Sequence, residues 1–331
     1  MSESKPISIG QWLLSWSLLA TILAVTGFAL LVSRFGWQLY LEIFSHFQVQ
    51  YLILVLLLAI ALGFTGRRMF ILVGLFCVAI LGSQILPWYF PPPDFLGNSN
   101  RDLRILVANV NTQNREFSQV IALTRREKPG LAVFIEVDKS WLEQLDSLRD
   151  LLPYSFGEAN PYNLGIVVFS QYPLINPQVE FFGTTQNASI TGQVVIANQT
   201  LSFVAAHPPP PLKANFFGDR NQQLDAIGQY LKTVEEPKLV MGDLNITMWS
   251  PYYRRLIKRT GLKNARQGFG ILPSWPTQRT YHQVPAAISS FLLIPIDHCL
   301  VSSGIKVTQI QTGAEIGSDH LPLLVDLKLL P

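Results

Sequence analysis

Val240-Met241-Gly242-Asp243-Leu244-Asn245 decides how the second part of this chain is read. With Lys238-Leu239 before it, the stretch has the apolar run of a buried strand, yet it runs straight into a carboxylate and a carboxamide. A buried acid or amide is costly unless it finds a partner. Asp243 and Asn245 therefore either begin an ordinary turn or serve something at the strand tip. Taken alone, a polar strand end is more often turn chemistry than function.

The same pattern recurs along the chain. Ile105–Asn111 ends in Asn109 and Asn111, Leu131–Val137 carries Glu136, Phe203–His207 ends in His207, Ile294–His298 brings Asp297, and Gly317–His320 brings Asp319 and His320. Between these lie amphipathic segments that predict helices at Glu116–Arg126, Ser140–Leu151 with Ser140 as N-cap, Asn215–Val234 and Pro251–Thr260. About ten strands with four helices, many of them hairpin-like neighbours, predict an α+β fold of two packed sheets with outer helices. Six polar strand ends then require one shared destination.

The first part of the chain has another character. Residues 11–32, 49–65 and 69–86 are three uncharged, strongly apolar runs. About 20 helical residues cross a bilayer core of ~30 Å, so each run reads as a transmembrane helix. A retained anchor is expected rather than a cleaved leader, since no small-x-small site follows the first run. Arg67 and Arg68 join the second and third runs and place that link in the cytoplasm. The N-terminus with Lys5 then lies inside and residues after 86 lie on the non-cytoplasmic side, while Arg34 opposes this orientation. Residues 87–100, with three consecutive prolines, form an extended linker that reaches about 40 Å at most. The expected division is a membrane anchor at 1–86, a linker at 87–100 and a soluble domain at 101–331, in a multi-pass protein of the cell membrane.

Net charge is +3, and from residue 95 onward 21 Lys and Arg face 19 Asp and Glu, so no broad surface for tracking polyanions is expected. Arg254, Arg255, Lys258, Arg259, Lys263 and Arg266 form a basic run that reads as a solvated face or as a dock for anionic lipid. Two cysteines in different halves, Cys77 and Cys299, do not make a disulfide framework.

The ordered set N-x-N at Asn109, E at Glu136, H at His207, GDxN at Asp243 and Asn245, D at Asp297 and SDH ending in Asp319 and His320 resembles the endonuclease/exonuclease/phosphatase superfamily over roughly residues 101–331, and the run His207-Pro208-Pro209-Pro210 is similar to that of its membrane-attached bacterial branch. The resemblance implies a four-layer α/β sandwich and a divalent-metal hydrolase of phosphate esters using Mg²⁺ or Mn²⁺. It implies metal ligation by Glu136, Asn109 and Asp319, and catalytic roles for His207, Asp243, Asn245, Asp297 and His320. Asn109 and Asn245 suit contact with phosphoryl oxygens because amides do not repel them. Asp297 would hold the His320 imidazole. Arg220 reads either as reaching a phosphate from a helix start or as a solvated helix residue. Expected partners are a phosphate-ester substrate, phospholipid or nucleic acid, and the bilayer itself, with no obligate protein partner evident. The competing reading is a non-catalytic phosphate- or lipid-binding module that has kept the fold.

Overall fold

The structure, a computed structural model, describes residues 8–90, 100–280 and 285–331. Most of the expected linker, together with Lys5 and His282, lies outside the described residues. The chain divides into two compact units.

The first unit is helical: α1 (Ile9–Phe35), α2 (Leu39–Ser45), α3 (Gln48–Gly63) and α4 (Arg68–Ile85). Ser8 caps α1 through a reciprocal pair of bonds with Gln11. Ile22, Ala29, Val55, Leu62, Cys77 and Leu81 pack into its interior. Gly74 brings α4 close to α3 and α1, since a Cβ there would lie 3.5 Å from Leu62 and 3.7 Å from Ile22. Outside this core the helices still present large apolar side chains such as Leu13, Leu57, Leu72 and Phe76, as helices solvated by lipid do. Two helices are long and apolar enough to cross a membrane, Ile9–Phe35 and Arg68–Trp88. The second expected span differs. It is the 16-residue α3, preceded by α2 at an angle of 65°, and the two reach spanning length only as a bent pair. The polar pair Glu42 and His46, 3.3 Å apart, sits just ahead of α3 and interrupts the apolar run.

The second unit holds two six-stranded mixed sheets. One contains β1 (Leu103–Asn109), β2 (Leu131–Ile135), β3 (Tyr154–Glu158), β4 (Ile166–Ser170), β11 (Ile305–Thr312) and β12 (Leu323–Leu329), in the order β11-β12-β1-β2-β4-β3. The other contains β5 (Ile175–Glu180), β6 (Ser189–Ile196), β7 (Gln199–Ala206), β8 (Lys238–Asp243), β9 (Lys263–Asn264) and β10 (Asp297–Val301), in the order β5-β6-β7-β8-β10-β9. Each sheet has one parallel pair. The crossover from β1 to β2 is α5 (Phe117–Glu127), and the one from β7 to β8 is α7 (Ala214–Tyr230). The remaining helices are α6 (Lys139–Leu145), α8 (Pro251–Thr260) and α9 (Ala286–Leu292).

Strand alternation sorts the core into layers. Ile105, Val107, Val133 and Val168 join Ile190, Phe203, Ala205 and Met241 between the sheets. The intervening residues Leu106, Ala108, Phe134 and Phe169 turn to the other face and meet Val120, Leu123, Trp141 and Leu145 of α5 and α6. Strands β1 and β2 are covered on both faces, which is why their sequences are almost continuously apolar. Over the second sheet, Gln223 of α7 donates to Ser189 Oγ of β6 at 3.1 Å.

Several expected boundaries shift. The cap of α6 is Asp138, whose carboxylate accepts from the Trp141 amide at 2.8 Å, and not Ser140. Strands β3 and β5 escape a pattern reading because both are edge strands. β3 is largely half-exposed, and β5 carries Pro177 at a bulge between Ile175 and Gln178. The expected basic face is not uniform: Arg266 is fully buried, and Arg255 and Arg259 both pair with Asp225.

Candidate active site

Asn109 ends β1 and Glu136 follows β2, so the parallel pairing of these strands sets the two side by side. Asp243 ends β8 and faces Asp297, the first residue of β10, across the antiparallel register. His207 follows β7, and His320 lies three residues before β12. These six residues come from both sheets and converge on one rim.

The backbone aims them. Glu136 and Asn245 have φ of 60° and 50°, left-handed values that turn the chain sharply at the strand ends. Gly242 has φ of 145°, and a Cβ there would lie 2.0 Å from the Ala206 carbonyl oxygen. Only glycine lets β8 approach β7 so closely beside Asp243.

Asn109 is the junction. Its Nδ2 donates to Glu136 Oε1 at 3.0 Å and Asp243 Oδ2 at 3.3 Å, and lies 3.4 Å from His320 Nε2. His320 Nδ1 meets Asp297 Oδ2 at 2.9 Å. His320 Nε2 is 3.6 Å from Asp243 Oδ2. His207 Nε2 stands 3.8 Å from Asp243 Oδ2 and 3.9 Å from Glu136 Oε1. Asp243 Oδ1 accepts from the Asn245 amide at 2.9 Å, and Asn245 Nδ2 donates to the Pro208 carbonyl at 2.9 Å, tying the tip of β8 to the four prolines 208–211 that follow His207.

Burial sets the charge state. Asn109, His207, Asp243, Asp297 and His320 are all buried. Desolvation, helped by Asp297 and Glu136, raises the Asp243 pKa to about 8. It raises Glu136 as well, against the Asn109 hydrogen bond. Burial alone would raise Asp297, but the His320 charge and its hydrogen bond hold it below the usual carboxylate value. Burial alone would likewise lower His320, but Asp297 and Asp243 override it and lift the imidazole to about 10. His207 has no such close ion pair. Burial and the His320 charge lower it to about 4, so it is neutral at pH 7.

Among the described residues, Asp243, Asp297 and His320 offer ligand atoms that all lie within 4.8 Å of one another. Asp297 and His320 are already bonded as an ion pair, with Asp243 3.6 Å from the ring, so this trio is a charged cluster before it is a cation cage. The donors on its other flank are Glu136 and Asn109. Asp319 is held apart by its own bonds: Oδ1 accepts from Asn111 Nδ2 at 2.7 Å and Oδ2 from Trp275 Nε1 at 3.3 Å. Arg220 differs from its expected placement. It lies in the second turn of α7, fully buried, and its guanidinium donates to the Asn245 carbonyl oxygen at 2.9 Å.

Three supporting residues had no role in the sequence reading. Ser318 donates to the Asn109 carbonyl at 2.8 Å and accepts from the His320 amide at 3.1 Å. Asn187 donates to the His207 carbonyl at 2.8 Å. Trp275 holds Asp319. Ser318 is next to a motif acid and was within reach of a sequence argument, whereas nothing local distinguishes Asn187 or Trp275.

Two packed mixed sheets thus carry acids, amides and histidines on a common rim. The sequence profile of the Endonuclease/Exonuclease/phosphatase family matches residues 106–320, and the chain belongs to that family. Solved structures agree in fold. The human Nocturnin catalytic domain superposes with a TM-score of 0.57 at 17% identity, over 72% of this chain and 99% of that one. Humanized D. rerio TDP2 gives 0.55 at 15%, over 68% and 98%. An endonuclease/exonuclease/phosphatase protein of Beutenbergia cavernae gives 0.53 at 20%, over 70% and 72%. No curated protein matches the chain in sequence.

Proposed function

We propose that the protein is a membrane-anchored, divalent-cation-dependent phosphoesterase, with residues 1–86 as anchor, 87–100 as linker and 101–331 as a catalytic α/β sandwich facing the non-cytoplasmic side. The observation that carries this reading is the unbroken chain Asp297–His320–Asp243–Asn109–Glu136, which crosses from one sheet to the other in steps of 2.9–3.6 Å.

The residues fit a cation. Glu136 and Asp243 are both pushed up, chiefly by burial, so a cation beside them would favour their ionised forms. Glu136 is the oxygen donor that would hold Mg²⁺ or Mn²⁺, whereas Asn109, whose Oδ1 accepts from the Asn111 amide at 3.1 Å, and Asp319, bonded to Asn111 and Trp275, would join it only by giving up those bonds. Such an ion supplies charge neutralisation at a phosphoryl oxygen.

The side chains divide the remaining work. His320, kept as an imidazolium by Asp297, presents an Nε2–H that binds the phosphoryl group and stabilises its developing charge. Asp243 in its ionised form is placed to orient an attacking water and take its proton, and with its pKa raised to about 8 that form grows in as pH rises through this value. His207, neutral and buried, offers a second hydrogen bond to the phosphoryl oxygen or leaving group. Asn245 contributes an uncharged amide beside the same oxygens. Arg220 acts through Asn245, fixing its backbone. A lipid-headgroup phosphoester suits this arrangement best among phosphate esters, because a tethered domain meets such a substrate where it resides. The near balance of 21 basic and 19 acidic residues beyond residue 95 supplies no broad track for nucleic acid.

The test is hydrolysis of bis-p-nitrophenyl phosphate by the full chain purified in detergent, with Mg²⁺ or Mn²⁺. The expected result is turnover that disappears in His320→Ala and Asp243→Ala. Turnover that persists unchanged in both variants rules out this mechanism, and its absence from the wild type favours the binding-module reading.

A further inference from the structure

Beside Glu136 and His207 opens a cleft of about 590 Å³, large enough for the organic part of a phosphate ester. Its walls come from the segments after β3, before β6 and after β7, and from the first turns of α7. Tyr162 and Phe216 supply aromatic surface, Pro209 and Pro210 a stiff rim, and Asn187 an amide. Among the described residues its ionisable lining groups are Glu136, Tyr162, His207 and Asp219, and neither lysine nor arginine lines it. Lys213 sits 5.9 Å from the Phe216 ring centroid but is not part of the lining.

The cleft is braced rather than loose. Thr184 Oγ1 lies 3.1 Å from Asp219 Oδ1 and 2.8 Å from Gln222 Oε1, and donating its single proton to either fastens the segment before β6 to α7. Phe182 packs on Tyr230 with ring centroids 5.3 Å apart. Asn187 is held between the His207 carbonyl, at 2.8 Å, and Gln223, whose Nε2 reaches the Asn187 carbonyl at 3.2 Å. Asp219 therefore keeps its place in the wall instead of swinging away from an incoming anion.

We propose that this cleft selects phosphate esters whose organic group is polar, uncharged or cationic, and free of further phosphate. A second phosphate seated here meets the Asp219 carboxylate and, among the described residues, no lining lysine or arginine, so it is repelled. A polyol or amino-alcohol instead finds amide and hydroxyl partners, and a cationic group finds aromatic faces and Asp219. The inference rests on the phosphoesterase reading above and narrows its substrate class.

The experiment uses the full chain in detergent with Mg²⁺ or Mn²⁺ and four chromogenic substrates. These are bis-p-nitrophenyl phosphate, p-nitrophenyl phosphorylcholine, and the p-nitrophenyl ester of thymidine 5′-phosphate with and without a 3′-phosphate. The extra 3′-phosphate is expected to lower kcat/KM at least tenfold, with the choline ester turned over at least as well as the unsubstituted nucleotide. In Asp219→Lys the penalty for the 3′-phosphate is expected to shrink to threefold or less. Asp219→Asn, a gentler change, is expected to fall between. Equal turnover of the two nucleotides, or a penalty that both variants leave untouched, overturns the proposal. Failure to hydrolyse any of the four overturns instead the phosphoesterase reading on which it rests.

Discussion

Asp297 Oδ2 and His320 Nδ1 meet at 2.9 Å, although 23 residues separate them and one begins a strand of one sheet while the other precedes a strand of the opposite sheet. Together with Asp243, this contact lifts the His320 pKa to about 10, so the ring carries a proton throughout the neutral range. If the imidazolium is the working form, kcat/KM falls as pH rises through about 10. Removing the Asp297 charge lowers the His320 pKa and moves that alkaline limb to lower pH. A pH–rate profile of Asp297→Asn with bis-p-nitrophenyl phosphate checks this. A limb that stays in place sinks the role given to the pair, and His320→Ala is expected to cost about 100-fold or more in kcat/KM.

Cation binding is readable without turnover. A divalent ion at Glu136 binds the folded chain alone and raises thermal stability, by about 2.7 kcal/mol at a concentration 100 times its Kd. Glu136→Gln is expected to abolish most of the Mg²⁺- or Mn²⁺-dependent rise in Tm, and chelation to return the wild type to its lower Tm. Calorimetry with and without the ion measures both.

His298 is buried with Nε2 2.7 Å from the Ile246 carbonyl oxygen, and burial together with the Arg266 charge lowers its pKa to about 3. The unfolded chain therefore binds a proton at this site that the folded chain refuses between pH 6.5 and about 3. This contribution to stability is fully present above pH 6.5 and is lost as pH falls. Urea midpoints between pH 7 and 5 are expected to drop less steeply in His298→Gln than in the wild type. Identical slopes would show that the ring titrates normally.

Gly242→Ala forces a Cβ to within 2.0 Å of the Ala206 carbonyl oxygen at a φ of 145°. We expect a loss of about 3 kcal/mol or outright failure to fold. Denaturation of the purified variant decides it, and a wild-type midpoint would refute the strain.

Arg220→Lys keeps the charge but loses the planar fork that reaches the Asn245 carbonyl. The expected outcome is a folded protein with kcat lowered about tenfold and KM little changed, as a positioning residue dictates. A selective rise in KM would restore the expected direct contact with phosphate.

The sequence carried the rim of the sandwich well and its edges poorly. Asn109, Glu136, Asp243 and Asp297 stand out because each interrupts or ends an apolar strand, and a polar group there needs a reason. Strands β3 and β5 carry no such contrast, since edge strands bury little and β5 tolerates Pro177. Arg220 was misplaced for a related cause. A charged residue near a helix start reads as solvent-facing, and only the fold brings Phe217 and Tyr252 to 5.2 and 6.0 Å from its guanidinium. Asn187 and Trp275 became legible only through their long-range partners.

The two sheets divide ownership of the reactive groups: Asn109 and Glu136 belong to one, and His207, Asp243 and Asp297 to the other. The gap between them is therefore set by the thickness of the apolar filling beneath, where Val133 and Val107 share an interior with Phe203 and Met241. Trimming that filling at Phe203 would let the halves settle and misalign the groups above, so activity should fade at temperatures where the polypeptide is still folded. The interior thus works as a spacer gauge as well as ballast.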